Sequence, residues 1–449
     1  MSGSELSSRA SNPSLFDSYK KLVQKIEKNP FDRRLFQPSL ILTESYFSEL
    51  GAVEEYKGFA DSLNHDPKLT QLNHKAKWSA SLSPIAITQD ALTQRLLSEY
   101  LIRRRHSTTY GDAFVEDLYL QWERELYEDE LDCIAVGFLE YASTGKLIDL
   151  GAGTTIRLLS LPEKSEWEER CRIWMQEEFS WFVVETKWTE QAKIESKPTL
   201  EAFSPTVPGA IRRLNDALRL FGASNSHLSL IFVSTESKTH GVLHELARRP
   251  RLPKTEDFFV FNDALSEKFK TFWSGAHVSL ENLNKSWWIN ALSRYERSTI
   301  DRPPADKLID IVIAIEAALL TGGQELRRAL SQRCAVLDSI TCTNADAPNF
   351  ETFDLVNKAY GLRNELVHGS AKESDIEEVK SLIEPLTDCV RRALLRVLAL
   401  CQARKKDKLI ELLDRGVFRK EDREELQTLL KESFIRECQD VLSPYWWRS

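Results

Sequence analysis

The sequence predicts an α+β protein, with a mixed, β-containing N-terminal region followed by an all-α C-terminal helical bundle. Three observations carry this. Residues 145–235 hold short runs of β-branched and aromatic residues that alternate between two faces and are separated by Gly and Pro. From about residue 280 onward, apolar residues recur at three- and four-residue spacing, the period of amphipathic helices. Between the two regions lies Arg249-Pro-Arg-Leu-Pro-Lys-Thr-Glu-Asp, which has the proline and charge of a linker. A chain of 449 residues is too long for one ordinary core. The expected organisation is a flexible tail over 1–14, an α+β domain of one or two subdomains over 15–248, a linker over 249–257 and a helical domain over 258–449.

The N-terminal elements follow from local pattern. Leu15 to Lys28 reads as a short amphipathic helix, and Gln89–Arg105 as a longer one. The second ends in Arg103-Arg104-Arg105-His106, a run that would suit phosphate but suits the negative end of a helix dipole better. Glu116–Tyr141 reads as a long acidic and aromatic helix broken near Glu128. Asp149-Leu-Gly151-Ala-Gly153-Thr imitates the glycine turn of adenosylmethionine-binding Rossmann proteins. That fold requires a helix directly after the glycines. Here Thr-Thr-Ile-Arg-Leu-Leu follows, so a β-hairpin turning at Gly151–Gly153 is predicted, then an acidic helix over Ser165–Glu178. Phe179–Trp188 and His227–Ser234 read as strands around a helix at Gly209–Phe221, with Ile211, Leu214, Leu218 and Leu220 facing inward. His244-Glu245 lacks the second His of a metalloprotease helix.

Beyond the linker the pattern is helical. Leu280–Arg297, with Trp287 and Trp288, is predicted as the entry helix. Asp306–Leu320 follows, with Leu308, Val312, Ile315 and Leu319 at core spacing. Ser374-Asp-Ile-Glu377 reads as a capping box opening a helix that runs through Leu400 and bends at Pro385. Asp407–Leu413 and Lys420–Leu430 are short helices, and the apolar tail Pro444-Tyr-Trp-Trp447 is expected to dock on the bundle.

Composition narrows the function. The chain is 42% hydrophobic and 29% charged, a globular balance, and has no apolar run of about 18 residues, so no membrane span is expected. The polar N-terminus lacks the apolar core of a signal peptide, which points to the cytoplasm. Seven scattered Cys without Cys-x-x-Cys spacing argue against a disulfide framework and a zinc cluster. Neither a metal nor a cofactor is expected. Net charge is −8, from 60 basic and 68 acidic side chains, which weighs against coating of nucleic acid by bulk electrostatics and leaves a local cleft.

The segment Tyr360-Gly361-Leu362-Arg363-Asn364-Glu365-Leu366-Val367-His368-Gly369 organises the rest. Leu355, Ala359, Leu362 and Leu366 predict a buried helical stripe, and Gly369 a left-handed cap that puts His368 in the last turn. Asn357, Gly361, Asn364 and His368 form a second stripe. Gly361 costs such a helix about 1 kcal/mol, so its missing side chain is expected to admit a close neighbour.

Arg363-Asn364-x-x-x-His368 resembles the Arg-x4-6-His signature of the HEPN superfamily. The upstream blocks Asp306–Leu320, with Glu316, and Glu325–Leu337, with Arg333, make the match resemble the Apea-like branch over roughly residues 285–410. The hairpin at 146–158 also looks like the strand-turn-strand often found upstream of such domains. The resemblance implies a metal-independent endoribonuclease in prokaryotic defence or growth arrest, working as a homodimer through the helical domain. RNA would be the substrate, and a trigger or accessory protein a partner.

The residue chemistry agrees. RNA supplies its own nucleophile, the 2′-hydroxyl, so the protein need only move protons and stabilise charge. An imidazole suits the first task and a guanidinium fork the second. Arg363, His368 and Asn364 are the candidate catalytic residues, with Tyr360 and Gly361 in support and Glu316 expected to hold Arg363 by a buried ion pair. Arg327, Arg328 and Arg333 are candidates to line the RNA cleft, although a solvated helix face also accounts for the first two. At about 100° per residue, Arg363 and His368 sit about 140° apart around one helix, so two copies are needed to bring both to one phosphate. The bland alternative makes them a helix cap paired with Glu365 or Glu316. The rival function is a non-catalytic HEPN dimerisation or ligand-binding platform.

Overall fold

The computed structural model describes residues 12–28, 54–65, 89–106, 111–127, 130–140, 142–171, 182–191, 209–222, 227–235, 241–245, 259–300, 302–322, 325–341, 343, 346–370 and 372–446. The expected linker 249–257 and the first eleven residues of the expected tail lie outside them. The architecture is α+β, with strands in the N-terminal half and helices dominating the C-terminal half. The chain divides into two compact units, one of residues 1–138, 151–207 and 230–246, the other of residues 139–150, 208–229 and 247–449.

Among the described residues the first unit opens with four helices, α1 (Pro13–Lys28), α2 (Glu54–Asn64), α3 (Gln89–His106) and α4 (Asp112–Tyr127). Their apolar stripes meet in an aromatic core in which Tyr19, Phe59, Tyr119 and Trp122 are fully buried and in ring contact. Two arginines of the basic run ending α3 are used internally. Arg103 Nε lies 2.6 Å from Glu99 Oε1, and Arg104 Nη2 donates to Glu27 Oε2 at 2.6 Å.

The first half of the helix predicted over Glu116–Tyr141 lies in α4, which ends at Tyr127 beside the expected break near Glu128, but the second half is not helical. Residues Glu130–Glu140 form β1, a long strand bonded on both sides. Cys133 through Leu139 are all buried, so this run has neither the 3.6-residue period of a surface helix nor the alternation of an edge strand. β1 is an inner strand of a six-stranded sheet whose order is β3-β4-β5-β1-β6-β7. Its other members are β3 (Ile148–Gly151), β4 (Thr154–Leu158), β5 (Phe182–Gln191), β6 (His227–Thr235) and β7 (Gly241–Glu245). β1 and β4 both run antiparallel to β5.

The glycine turn is a hairpin, as its β-branched sequel requires. Gly151, Ala152 and Gly153 all have positive φ, and a Cβ on Gly153 would sit 2.7 Å from the Lys187 carbonyl oxygen. The acidic helix that follows, α5 (Leu161–Cys171), starts four residues before its predicted position, because Ser160 caps it through Glu163. His244 and Glu245 lie on a strand, not on a metal-binding helix.

The second unit holds the parallel pair β2 (Ala142–Thr144) and β8 (Phe259–Phe261), helix α6 (Gly209–Phe221) and a continuous helical series. That series is α7 (Asp263–Asn282), α8 (Ser286–Thr299), α9 (Pro304–Leu319), α10 (Leu326–Ser339), α11 (Phe350–Val367), α12 (Glu373–Leu400), α13 (Lys406–Gly416), α14 (Lys420–Lys431) and a 3-10 helix, Phe434–Leu442. The single entry helix predicted over Leu280–Arg297 is two helices. Asn282 and Asn284 flank the break at Leu283, and Asn competes for backbone hydrogen bonds. Gly275 of α7 lets the 3-10 helix approach, for a Cβ there would lie 2.2 Å from that of Phe434. The tail docks as expected: Trp446 is buried edge-on against Phe221 and donates to its carbonyl at 2.8 Å.

α12 is the centre of this unit. It continues as one helix through Pro385, and its N-cap is Lys372, two residues before the predicted box, with the Lys372 amide donating to the Asp375 carboxylate. Its buried arginines tie distant elements together. Arg391 donates to Asp388 and to the carbonyls of Leu220 and Val441, while Arg392 reaches Asp338 at 2.6 Å and Arg396 the Ile340 carbonyl at 3.0 Å.

Candidate functional site

Helix α11 carries the site, and both of its ends are fixed. Asn349 caps its start by accepting from the Thr352 amide, and Asp338 of α10 takes bonds from the Asn349 amide at 3.0 Å and the Thr352 hydroxyl at 2.7 Å. At the other end Gly369 adopts φ +68°, its N–H donates to the Leu366 carbonyl, and the Ser370 N–H donates to that of Glu365. This paired closure is a Schellman cap, which leaves His368 as the C-cap residue.

Burial along α11 departs from the predicted stripe. Thr352, Val356, Ala359, Tyr360 and Leu362 are buried, whereas Leu355 and Leu366 are half-buried. Helices α9, α10 and α12 all pack on α11, so burial follows more than one line of its surface. Tyr360 is thereby turned to α9.

Four predicted residues converge there. Glu316 Oε2 of α9 stands 3.6 Å from Arg363 Nη2, and Arg363 Nη1 donates to Asn364 Oδ1 at 3.0 Å. The Arg363 guanidinium also lies 5.8 Å from the Tyr360 ring centre, and the Tyr360 hydroxyl donates to Glu316. Burial, reinforced by the Glu316 carboxylate, pushes the Tyr360 phenol up from its ordinary value, so it stays a donor at neutral pH. The Glu316–Arg363 pair is half-buried rather than buried, with side chains 18% and 23% exposed, so water still reaches the fork. Arg363 Nε itself is enclosed and makes no hydrogen bond to a described residue.

Gly361 has a specific neighbour. The position a Cβ would take lies 3.2 Å from Arg327 Nη2 and 3.3 Å from its Cζ, so the guanidinium of α10 rests directly on the α11 backbone. Arg327 Nε donates to Asn357 Oδ1 at 2.7 Å. Asn357 belongs to the second stripe, but nothing in its local pattern gave it a role; the signal was its four-residue spacing from a costly glycine.

The remaining predicted residues are not drawn in. His368 is exposed, and its imidazole makes no hydrogen bond or ion pair with any described residue. Arg328 is exposed on α10. Arg333, expected at the cleft, is engaged elsewhere: both branches of its fork bond Asp414, at 2.7 and 2.8 Å, and Nη1 donates to the Leu319 carbonyl. It clasps α9 and α13 to α10. At about 100° per residue, Arg363 and His368, five apart in the chain, lie about 140° apart around one copy of α11.

Among the described residues no three His, Cys, Asp or Glu side chains form a metal-binding group, and no helix is long and apolar enough to cross a membrane. Thiol chemistry is disfavoured. Burial holds the Cys334 thiol well above its ordinary value and pushes those of Cys389 and Cys401 up to about 12, so no thiolate forms there near neutrality. No protein-family model, curated protein or solved structure matches this chain.

Proposed function

We propose that the chain is a metal-independent endoribonuclease of the HEPN type, acting as a homodimer in the cytoplasm. The observation that carries this reading is His368. A histidine kept for structure is normally held by a partner, yet this one is exposed on a Schellman cap and pairs with no described residue, on the same helix as an arginine fork fixed by three neighbours. In the proposed reaction the RNA 2′-oxygen bonds to the adjacent phosphorus as the bond from phosphorus to the 5′-oxygen breaks. One imidazole takes the 2′ proton, and an imidazolium from the second copy returns a proton to the 5′-oxygen. The products are a 2′,3′-cyclic phosphate and a 5′-hydroxyl. Arg363 steadies the phosphoryl charge and Asn364 orients it. The N-terminal region restrains or triggers the activity, in keeping with a role in prokaryotic defence or growth arrest.

A second reading has its own support. Arg363 is partly neutralised by Glu316, and the chain carries a net charge of −8, which suits a non-catalytic dimerisation or ligand-binding platform. One experiment separates the two. Purified protein is incubated with RNA in excess chelator, beside His368→Ala. Cleavage that leaves 5′-hydroxyl ends, survives the chelator and vanishes in the variant supports the nuclease. Equal RNA integrity with both proteins sinks it.

A further inference from the structure

Arg363 is the cation that the sequence selects to meet the phosphate, but in the folded chain it shares its charge with Glu316. Arg327 does not. The only hydrogen-bond partner of its guanidinium among the described residues is the neutral Asn357 amide, and no described carboxylate lies within ion-pair distance. Its guanidinium is exposed, yet it is not loose: Nε is tied to Asn357, and the flat face rests where Gly361 lacks a side chain, at 3.2 to 3.4 Å from the absent Cβ. Gly361 lies one turn beyond Asn357 and one turn before Asn364, so the fork sits on the polar stripe that ends at His368. A mid-helix glycine costs about 1 kcal/mol, and here it does one visible thing, which is to seat this arginine.

We infer that Arg327, seated by Asn357 and Gly361, is the principal backbone-phosphate contact of the site, and that it positions a single-stranded RNA along the Asn357–His368 face. Arg363 then acts mainly on the reacting phosphoryl group, where a fork tethered by Glu316 is placed rather than free. The inference rests on the nuclease reading and refines it.

The test uses full-length protein carrying His368→Ala, so that binding is measured without cleavage. Affinity for a short single-stranded oligoribonucleotide is followed against salt concentration. Arg327→Gln is expected to weaken binding about fivefold at 0.1 M salt and to reduce the slope of log affinity against log salt by about 0.7, the release associated with one phosphate contact on a single strand. Gly361→Ala keeps the charge but lifts the guanidinium from its seat, so it should weaken binding while leaving the helix more resistant to heat. A merely structural glycine would not separate those two readouts. Arg328→Gln, an exposed neighbour without a seat, should leave the slope unchanged. A slope unaltered by Arg327→Gln, or reduced equally by Arg328→Gln, overturns the assignment of Arg327 alone. Absence of salt-dependent RNA binding in the His368→Ala parent overturns the nuclease reading as well.

Discussion

Glu316 makes three demands of one carboxylate. It accepts from Tyr360, draws in Arg363 and, through Arg363, aligns Asn364. Because the pair is half-exposed, its contribution to stability is small, about 1 kcal/mol or less. Its contribution to placement should be larger, since a misplaced group costs a reaction far more than it costs a fold. Glu316→Gln preserves shape and removes charge. The expected outcome is a melting temperature within about 3 °C of wild type and cleavage slowed about 10- to 100-fold. Single-turnover assays and a thermal melt check both numbers; unchanged cleavage would demote Glu316 to scaffolding.

Helix α11 is positioned by what holds its ends, and the start depends on Asp338. That side chain takes bonds from Asn349, Thr352 and Arg392, with Arg396 3.5 Å away. Burial pushes the Arg396 guanidinium down to about 10, so it is still charged at neutral pH and still needs its anion. Removing one partner of a buried ion network leaves the others uncompensated, at about 3–5 kcal/mol. Asp338→Ala should therefore cost about that much in urea unfolding, more than any single surface pair of this unit. Replacing Asp338 at a cost below about 1 kcal/mol would show that the arginines of α12 find water instead. Arg333 illustrates the converse: the residue types of a phosphate site, bound bidentately to Asp414, make a clasp.

At the scale of the whole helical unit, Asp216 is one group that links stability to pH. Burial pushes this carboxyl up to about 7; Arg219 opposes the shift and the Glu296 carboxylate adds to it. A carboxyl whose folded value lies above its unfolded one favours the fold when protonated. Its contribution is full below about pH 4 and is lost as pH rises through 7. Asp216→Asn mimics the protonated form at every pH. The variant should thus gain on wild type, in urea midpoint, as pH rises from about 5 to 8. A difference that stays constant across that range counts against the raised carboxyl.

The order of helices α9 to α12, the hairpin at Gly151–Gly153 and the bounds of α6 were all legible in the chain. They rest on local chemistry: period, caps, and the left-handed φ that only glycine adopts cheaply. The pairing of Glu316 with Arg363 was anticipated too, though its half-exposure was not. Other features depended on neighbours far away in sequence. Glu130–Glu140 is a strand because β5 and β6 flank it, and its apolar run suits a buried helix equally well. Tyr360 turns inward and Leu366 does not because three helices cover α11. Arg327 reaches Gly361, and Arg333 reaches Asp414, across gaps of 30 and 81 residues for their hydrogen-bonded partners Asn357 and Asp414. A residue's type and local period fix what bonds it can make; which of them it does make is set by the partner that folding brings within about 3 Å.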